Sequence, residues 1–90
     1  MKLERQTKVI NRLGLHARAS AKLVKSAGRY TSSILISTDS ETADGKSIMG
    51  LMMLAATQGT TMTITIEGED AENAMQDIVG LFENRFDEHE

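Results

Sequence analysis

The chain has 90 residues, 40% hydrophobic and 26% charged, which is the balance of one folded globular domain and too short for a second. Aromatics amount to 3% (Tyr30, Phe82, Phe86), and ten basic residues against thirteen acidic ones leave a net charge of −3. With neither a base-stacking platform nor a basic field, nucleic acid is not an expected partner. The absence of Cys removes disulfides, thiolate nucleophiles and thiolate metal sites, and leaves stability to an aliphatic core. The polar start Met1-Lys2-Leu3-Glu4-Arg5-Gln6 does not read as a signal peptide, and no apolar run nears the ~20 residues of a bilayer span. A cytoplasmic protein without membrane insertion is expected.

In chain order, Leu3, Arg5, Thr7 and Val9 alternate with Glu4, Gln6, Lys8 and Ile10, which predicts a strand. From Ala17 to Ala27 the apolar positions Ala19 or Ser20, Leu23, Val24 and Ala27 recur at helical spacing, with Gly28 as an expected left-handed stop. Ser33 to Thr38, centred on Ile34-Leu35-Ile36, predicts a strand folded back by Asp39-Ser40 onto a short one at Glu41 to Ala43. Ser47 is placed to N-cap a short helix with the stripe Ile48, Leu51, Met52 and Ala55, closed by Gly59.

Thr60 to Glu67 alternates most clearly, with Met62, Ile64 and Ile66 inward and Thr61, Thr63 and Thr65 outward. Asp70 is expected to cap a last helix whose stripe runs Ala71, Ala74, Met75, Ile78, Leu81, Phe82, Phe86. One-sided strands with one-sided helices predict an α+β open-faced two-layer sandwich of order βαββαβα. Its four-stranded, mainly antiparallel sheet carries three helices on one face.

The chemistry-bearing cluster is Gly14-Leu15-His16-Ala17-Arg18, at the entrance of the first helix. A helix N-terminus presents unpaired N–H groups and the positive end of the dipole, and so attracts phosphate. The same field disfavours imidazolium and leaves His16 a neutral nitrogen for nucleophilic attack. Arg18 adds a forked guanidinium for phosphoryl oxygens, and Gly14 removes bulk before the ring so that a partner's donor group can approach. The plainer alternative is that His16 only caps the helix and Arg18 is a solvated charge. His89 lies apart in an acidic tail and no acid stands at zinc-site spacing, so no metal site is expected; no nucleophilic Ser with a dedicated base is evident, so no hydrolase triad is expected either, nor any cofactor. In Lys46-Ser47-Ile48-Met49-Gly50-Leu51-Met52-Met53, Met49 and Met53 fall off the apolar stripe, either as an adaptable docking patch or as gap fillers.

Gly14-Leu15-His16-Ala17-Arg18, Lys46-Ser47-Ile48-Met49-Gly50-Leu51-Met52, and Gln58-Gly59-Thr60 leading to Glu67-Gly68-Glu69-Asp70 together resemble the HPr family. These are the histidine-containing phosphocarriers of the bacterial phosphoenolpyruvate-dependent phosphotransferase system. The resemblance covers essentially the whole chain. It implies that His16 takes a phosphoryl group on Nδ1 from phosphorylated enzyme I and passes it to an enzyme IIA-type acceptor, as a carrier and not an enzyme. Arg18 would then steady the phosphoryl oxygens, Ser47 would match the serine modified by HPr kinase/phosphorylase, and Ala17, Ile48, Met49 and Met52 would form the docking surface. Where the family usually has Pro after the Arg, this chain has Ala19, which relaxes the helix entrance without removing the site. The ending Leu81-Phe82-Glu83-Asn84-Arg85-Phe86-Asp87-Glu88 is similar to carriers of the nitrogen-related branch, while the Ser47 motif resembles the kinase-regulated form, so sugar and nitrogen roles both stay open. A monomer is the simplest state. The competing readings are an acyl-carrier-like protein with a modified Ser47 and a regulatory or binding domain in which His16 is incidental.

Overall fold

The computed structural model describes residues 1–90. Four strands and three helices follow the expected order: β1 (Lys2–Lys8), α1 (Ala17–Ala27), β2 (Ser33–Ser37), β3 (Thr42–Asp44), α2 (Ile48–Met53), β4 (Thr61–Glu67) and α3 (Ala71–Glu83), followed by a single 3₁₀ turn at Arg85–Asp87. The sheet order is β1-β4-β2-β3, and every pairing is antiparallel. β4 is central, with Ile66 opposite Leu3 on one side and Ile34 on the other, and Ile64 opposite Arg5 and Ile36. Met62, Ile64 and Ile66 are fully buried, whereas Thr61, Thr63 and Thr65 point to the open face, so the alternation of this segment is the division between core and solvent. A four-stranded sheet is incompatible with an all-helical acyl-carrier architecture.

The helices fill the other face. Leu23, Ala27 and Ala19 of α1 and Ala71, Ala74, Ile78, Val79 and Phe82 of α3 are buried in one cluster with Ile34, Ile36 and the β4 residues. Val9 lies just past β1 yet is fully buried, and it continues the ladder by donating to Thr60 O and accepting from Gly59 N. No helix is long and apolar enough to cross a membrane.

Several expectations are corrected. Gly28 is right-handed (φ −65°), its N–H bonded to Val24 O, so α1 ends by tightening through Arg29 and Tyr30 and not by a left-handed stop. The β2–β3 turn is organised by Thr38, whose Oγ1 accepts from the N–H groups of Ser40 and Glu41, and not by Asp39-Ser40 alone. In α2 only Leu51 of the expected stripe is buried. Ile48 and Met52 are exposed, the helix stops at Met53 well before Gly59, and Leu54 and Ala56 complete the core side. Six residues make under two turns, too few to carry the four-residue stripe that periodicity suggested. Phe86 does not extend α3: Arg85, Phe86 and Asp87 are left-handed (φ 56°, 51° and 65°), turning Phe86 back into the core edge-on to Phe82 at 5.0 Å between ring centroids. Leu81 is half-buried, and Val79 takes the buried place instead.

Asp70 precedes α3, but its side chain makes no cap. Its carboxylate accepts from Thr31 N (2.9 Å), Ser32 N (3.0 Å) and Ser32 Oγ (2.5 Å), tying the start of α3 to the approach to β2. The bonds from Ser32 and Thr31, working against a smaller desolvation effect, hold this carboxyl down from its usual 3.8 to about 2. A lowered folded-state value stabilises the fold above the unfolded value and is lost as pH falls through the folded one. Wild type is therefore expected to exceed Asp70→Asn in urea midpoint by a constant margin above pH 3.8, shrinking toward about pH 2. A margin unchanged down to pH 2 in parallel urea titrations would contradict this.

Candidate functional site

His16 reaches its position through the loop from Ile10 to Leu15. Gly14 adopts φ +71°, and a Cβ there would come within 2.5 Å of Ala56 O, so this glycine is required by close approach to its own chain. It is buried against Ala56 and does not open a path for a partner's donor group, which corrects the sequence expectation. Leu15 N–H donates to Ala56 O (2.9 Å), and the buried Ser20 Oγ donates to Leu15 O (3.2 Å), so the loop is clamped to both the α2–β4 connection and α1. Gly14→Ala is expected to cost about 1–3 kcal/mol through its left-handed backbone and this clash, read as a lowered urea midpoint. An unchanged midpoint would show that the loop is not so clamped.

His16 is the N-cap of α1, with extended backbone (φ −78°, ψ −176°) and its carbonyl accepting from Ser20 N. Its half-buried ring is held at both nitrogens. Nδ1 accepts from the Arg18 backbone N–H (3.3 Å), and Nε2 pairs with the Glu88 carboxylate. A neutral ring with these neighbours carries its proton on Nε2 and its lone pair on Nδ1, aimed at the start of the helix. Glu88 is oriented in turn by Asn11, which is fully buried and donates from Nδ2 to both Gly14 O (2.7 Å) and Glu88 Oε1 (3.0 Å). Asn11 Oδ1 is the one buried side-chain polar atom without a hydrogen-bond partner, a cost that the two donated bonds offset. Burial works to raise the Glu88 carboxyl, but the hydrogen bonds from Asn11 and His16, with the charge of Arg18 and that of His16 when its ring is protonated, hold it below its ordinary range.

Ala17 and Arg18 are exposed in the first turn, and the Arg18 side chain forms no ion pair, so its guanidinium is free to meet an incoming anion. Ala19, third in the helix, is buried, its methyl packed in the core. No group of three or more His, Cys, Asp or Glu side chains is placed to hold a metal ion.

Ser47 caps α2, its Oγ accepting from Gly50 N (3.0 Å). Beside it Ile48 (42% exposed), Met49 (72%), Met52 (42%) and Met53 (73%) leave most of α2 uncovered, so these methionines are not gap fillers. α1 packs against both α2 and α3. Sequence reasoning missed Asn11 and Glu88, which lie 77 residues apart and which no local spacing connects. The available signal was the aromatic anchor Phe86 followed directly by acids.

The family model for the PTS HPr component phosphorylation site matches residues 3–84. The chain is 51% identical over 86 residues to phosphocarrier protein HPr of Xylella fastidiosa, covering 96% of this chain and 97% of that protein. It is 50% identical over 88 residues to HPr of Cupriavidus necator (98% and 99% covered) and 41% identical over 87 residues to phosphocarrier protein NPr of Shewanella violacea (97% and 96%). Among solved structures, HPr-C-His from Thermoanaerobacter tengcongensis superposes with a TM-score of 0.93 at 36% identity, covering 98% of this chain and 99% of that one. An HPr dimer from the same organism gives a TM-score of 0.77 at 38% identity, covering 91% and 94%.

Proposed function

The chain belongs to the HPr family of phosphocarriers, and from this premise we propose that His16 Nδ1 is its phosphoryl acceptor. The donor in this reading is phosphorylated enzyme I, with phosphoenolpyruvate as the original source, and the recipient is an enzyme IIA-type protein. The observation that carries it is the orientation of the ring: Nδ1 faces the N-terminus of α1 while Nε2 is taken by Glu88.

The Nδ1 lone pair attacks phosphorus in line, forming the N–P bond. The donor's bond to phosphorus breaks, and its electron pair returns to the donor group. The Arg18 N–H, now spent on Nδ1, is released as that lone pair is used and turns to a phosphoryl oxygen, where the helix dipole also acts. The unpaired Arg18 guanidinium neutralises the remaining charge. Little more is asked of a carrier, because phosphoryl transfer rests on alignment and charge balance, and the partner's site contributes to both.

In the same reading Ala17, Ile48, Met49 and Met52 form the docking surface. Their flexible thioethers suit successive partners, and a small transient contact suits rapid turnover. A monomer is the working form, since this face must be free for each partner. Modification of Ser47 by an HPr kinase/phosphorylase would place ~2 negative charges beside Ile48 and Met49, opposing docking there. In this reading the carrier serves a regulatory, nitrogen-type system, with sugar transport as the alternative; the proteins it is similar to include phosphocarriers of both names, HPr and NPr.

The test is incubation with phosphoenolpyruvate and enzyme I, followed by intact mass and ³¹P NMR. One acid-labile phosphohistidine is expected in wild type and none in His16→Ala. Ser47→Asp is expected to be phosphorylated about tenfold more slowly, the equivalent of ~1.4 kcal/mol of lost docking energy. Transfer to His16→Ala, or none to wild type beside an active control carrier, would overturn the reading.

A further inference from the structure

Beyond the α3 helix the chain does not trail into solvent. Phe86 is fully buried, and Lys22 Nζ donates to Phe86 O (2.7 Å) and stands 3.5 Å from the Asp87 carboxylate. Three consecutive left-handed residues make the reversal that brings Glu88 back to the start of α1. Such residues are disfavoured one by one and persist only where surrounding contacts over-determine them; here the buried Phe86 and the Lys22 bond do so. Arg12 then pairs with Glu90 (3.2 Å), closing the segment over the loop that precedes His16.

We propose that Glu88 is a positioning residue for the phosphoryl chemistry of His16: held by Asn11, it keeps a proton on Nε2 and so reserves Nδ1 for phosphorus. The proposal rests on the reading of His16 as the phosphoryl acceptor. The two carboxylate oxygens divide the work, Oε1 accepting from Asn11 Nδ2 and Oε2 facing His16 Nε2. The series Asn11–Glu88–His16–Arg18 N–H thus has the logic of a catalytic triad, in which a fixed carboxylate selects the tautomer and stabilises the positive charge that forms on the ring. As Nδ1 gives its electron pair to phosphorus, the ring becomes cationic with its Nε2 proton retained. When phosphorus departs to the next acceptor, the pair returns to Nδ1 and the ring is neutral again. In both directions the proton stays on Nε2 and the adjacent carboxylate offsets the transient charge. The carboxylate also repels an anionic donor from Nε2. Of the charged and titratable groups in the terminal segment, the loop before His16 and the start of α1, Arg18 and His89 form no ion pair, Arg12 pairs with Glu90 and Lys22 with Asp87, and Glu88 is the acid bonded to the imidazole.

The experiment compares wild type, Glu88→Gln and Glu88→Ala in the ¹⁵N-labelled full chain. It records the His16 Nε2–H resonance, the phosphorylation rate by enzyme I, and the N–P linkage formed. In wild type an exchange-protected Nε2–H and Nδ1 linkage are expected. Glu88→Gln retains an acceptor for Nε2–H but not the charge, so its proton signal should persist while its rate falls about three-fold. Glu88→Ala should lose the protected signal and fall about ten-fold. Thermal melting of each variant separates these losses from unfolding of the terminal segment. Equal or faster phosphorylation of a folded Glu88→Ala, or an unchanged Nε2–H signal in Glu88→Ala, would overturn the proposal while leaving His16 as acceptor. Failure of wild type to accept phosphate would instead strike the underlying reading.

Discussion

Burial of one face of β4 is the constraint from which the rest of the structure follows. Met62, Ile64 and Ile66 have no solvent exposure, and the strand is hydrogen-bonded on both edges, to β1 and to β2. A slip of one residue would put three Thr side chains into the core, so the register is set by composition. With it set, Leu23 and Ala19 of α1 have one place to go, and the start of that helix is carried to the clamp between Leu15 and Ala56. The position of the His16 ring is therefore a consequence of the core, passed along a helix that cannot shift without opening a cavity.

The electrostatic character of the site is local. The chain is acidic overall, yet the ring sits between the partial positive charge of a helix start and the negative charge of Glu88. The two nitrogens face opposite fields, which separates the nitrogen that keeps a proton from the one that keeps a lone pair. Of the acidic residues in the terminal segment, Glu88 stands at Nε2, and Glu90 and Asp87 are paired with Arg12 and Lys22.

What could be read from the sequence followed from local periodicity. α1 begins and ends where its apolar spacing and the His16 boundary put it, and the alternation of β4 predicted its buried face residue by residue. Periodicity misled where an element is short or where tertiary contact redirects a side chain. α2 has too few turns to express its stripe, and Asp70 is drawn off its helix by two N–H groups across the chain. Phe86 obeys the i+4 rhythm from Phe82 and is buried, but by a left-handed reversal that no helical pattern encodes. His16 stood out because its chemistry and its helix boundary coincide in five residues. Asn11 and Glu88 did not, because their meeting depends on that reversal and on the loop before His16, both of them tertiary facts.

In the proposed reading the fold distinguishes the two nitrogens of His16 and presents only Nδ1 to phosphorus. The most direct measurement is the ¹⁵N–³¹P coupling in the ¹⁵N-histidine-labelled protein after phosphorylation with phosphoenolpyruvate and enzyme I. Coupling to Nδ1 of His16 alone is expected, with the proton still on Nε2. A phosphoryl group on Nε2, or on any other residue, would contradict it.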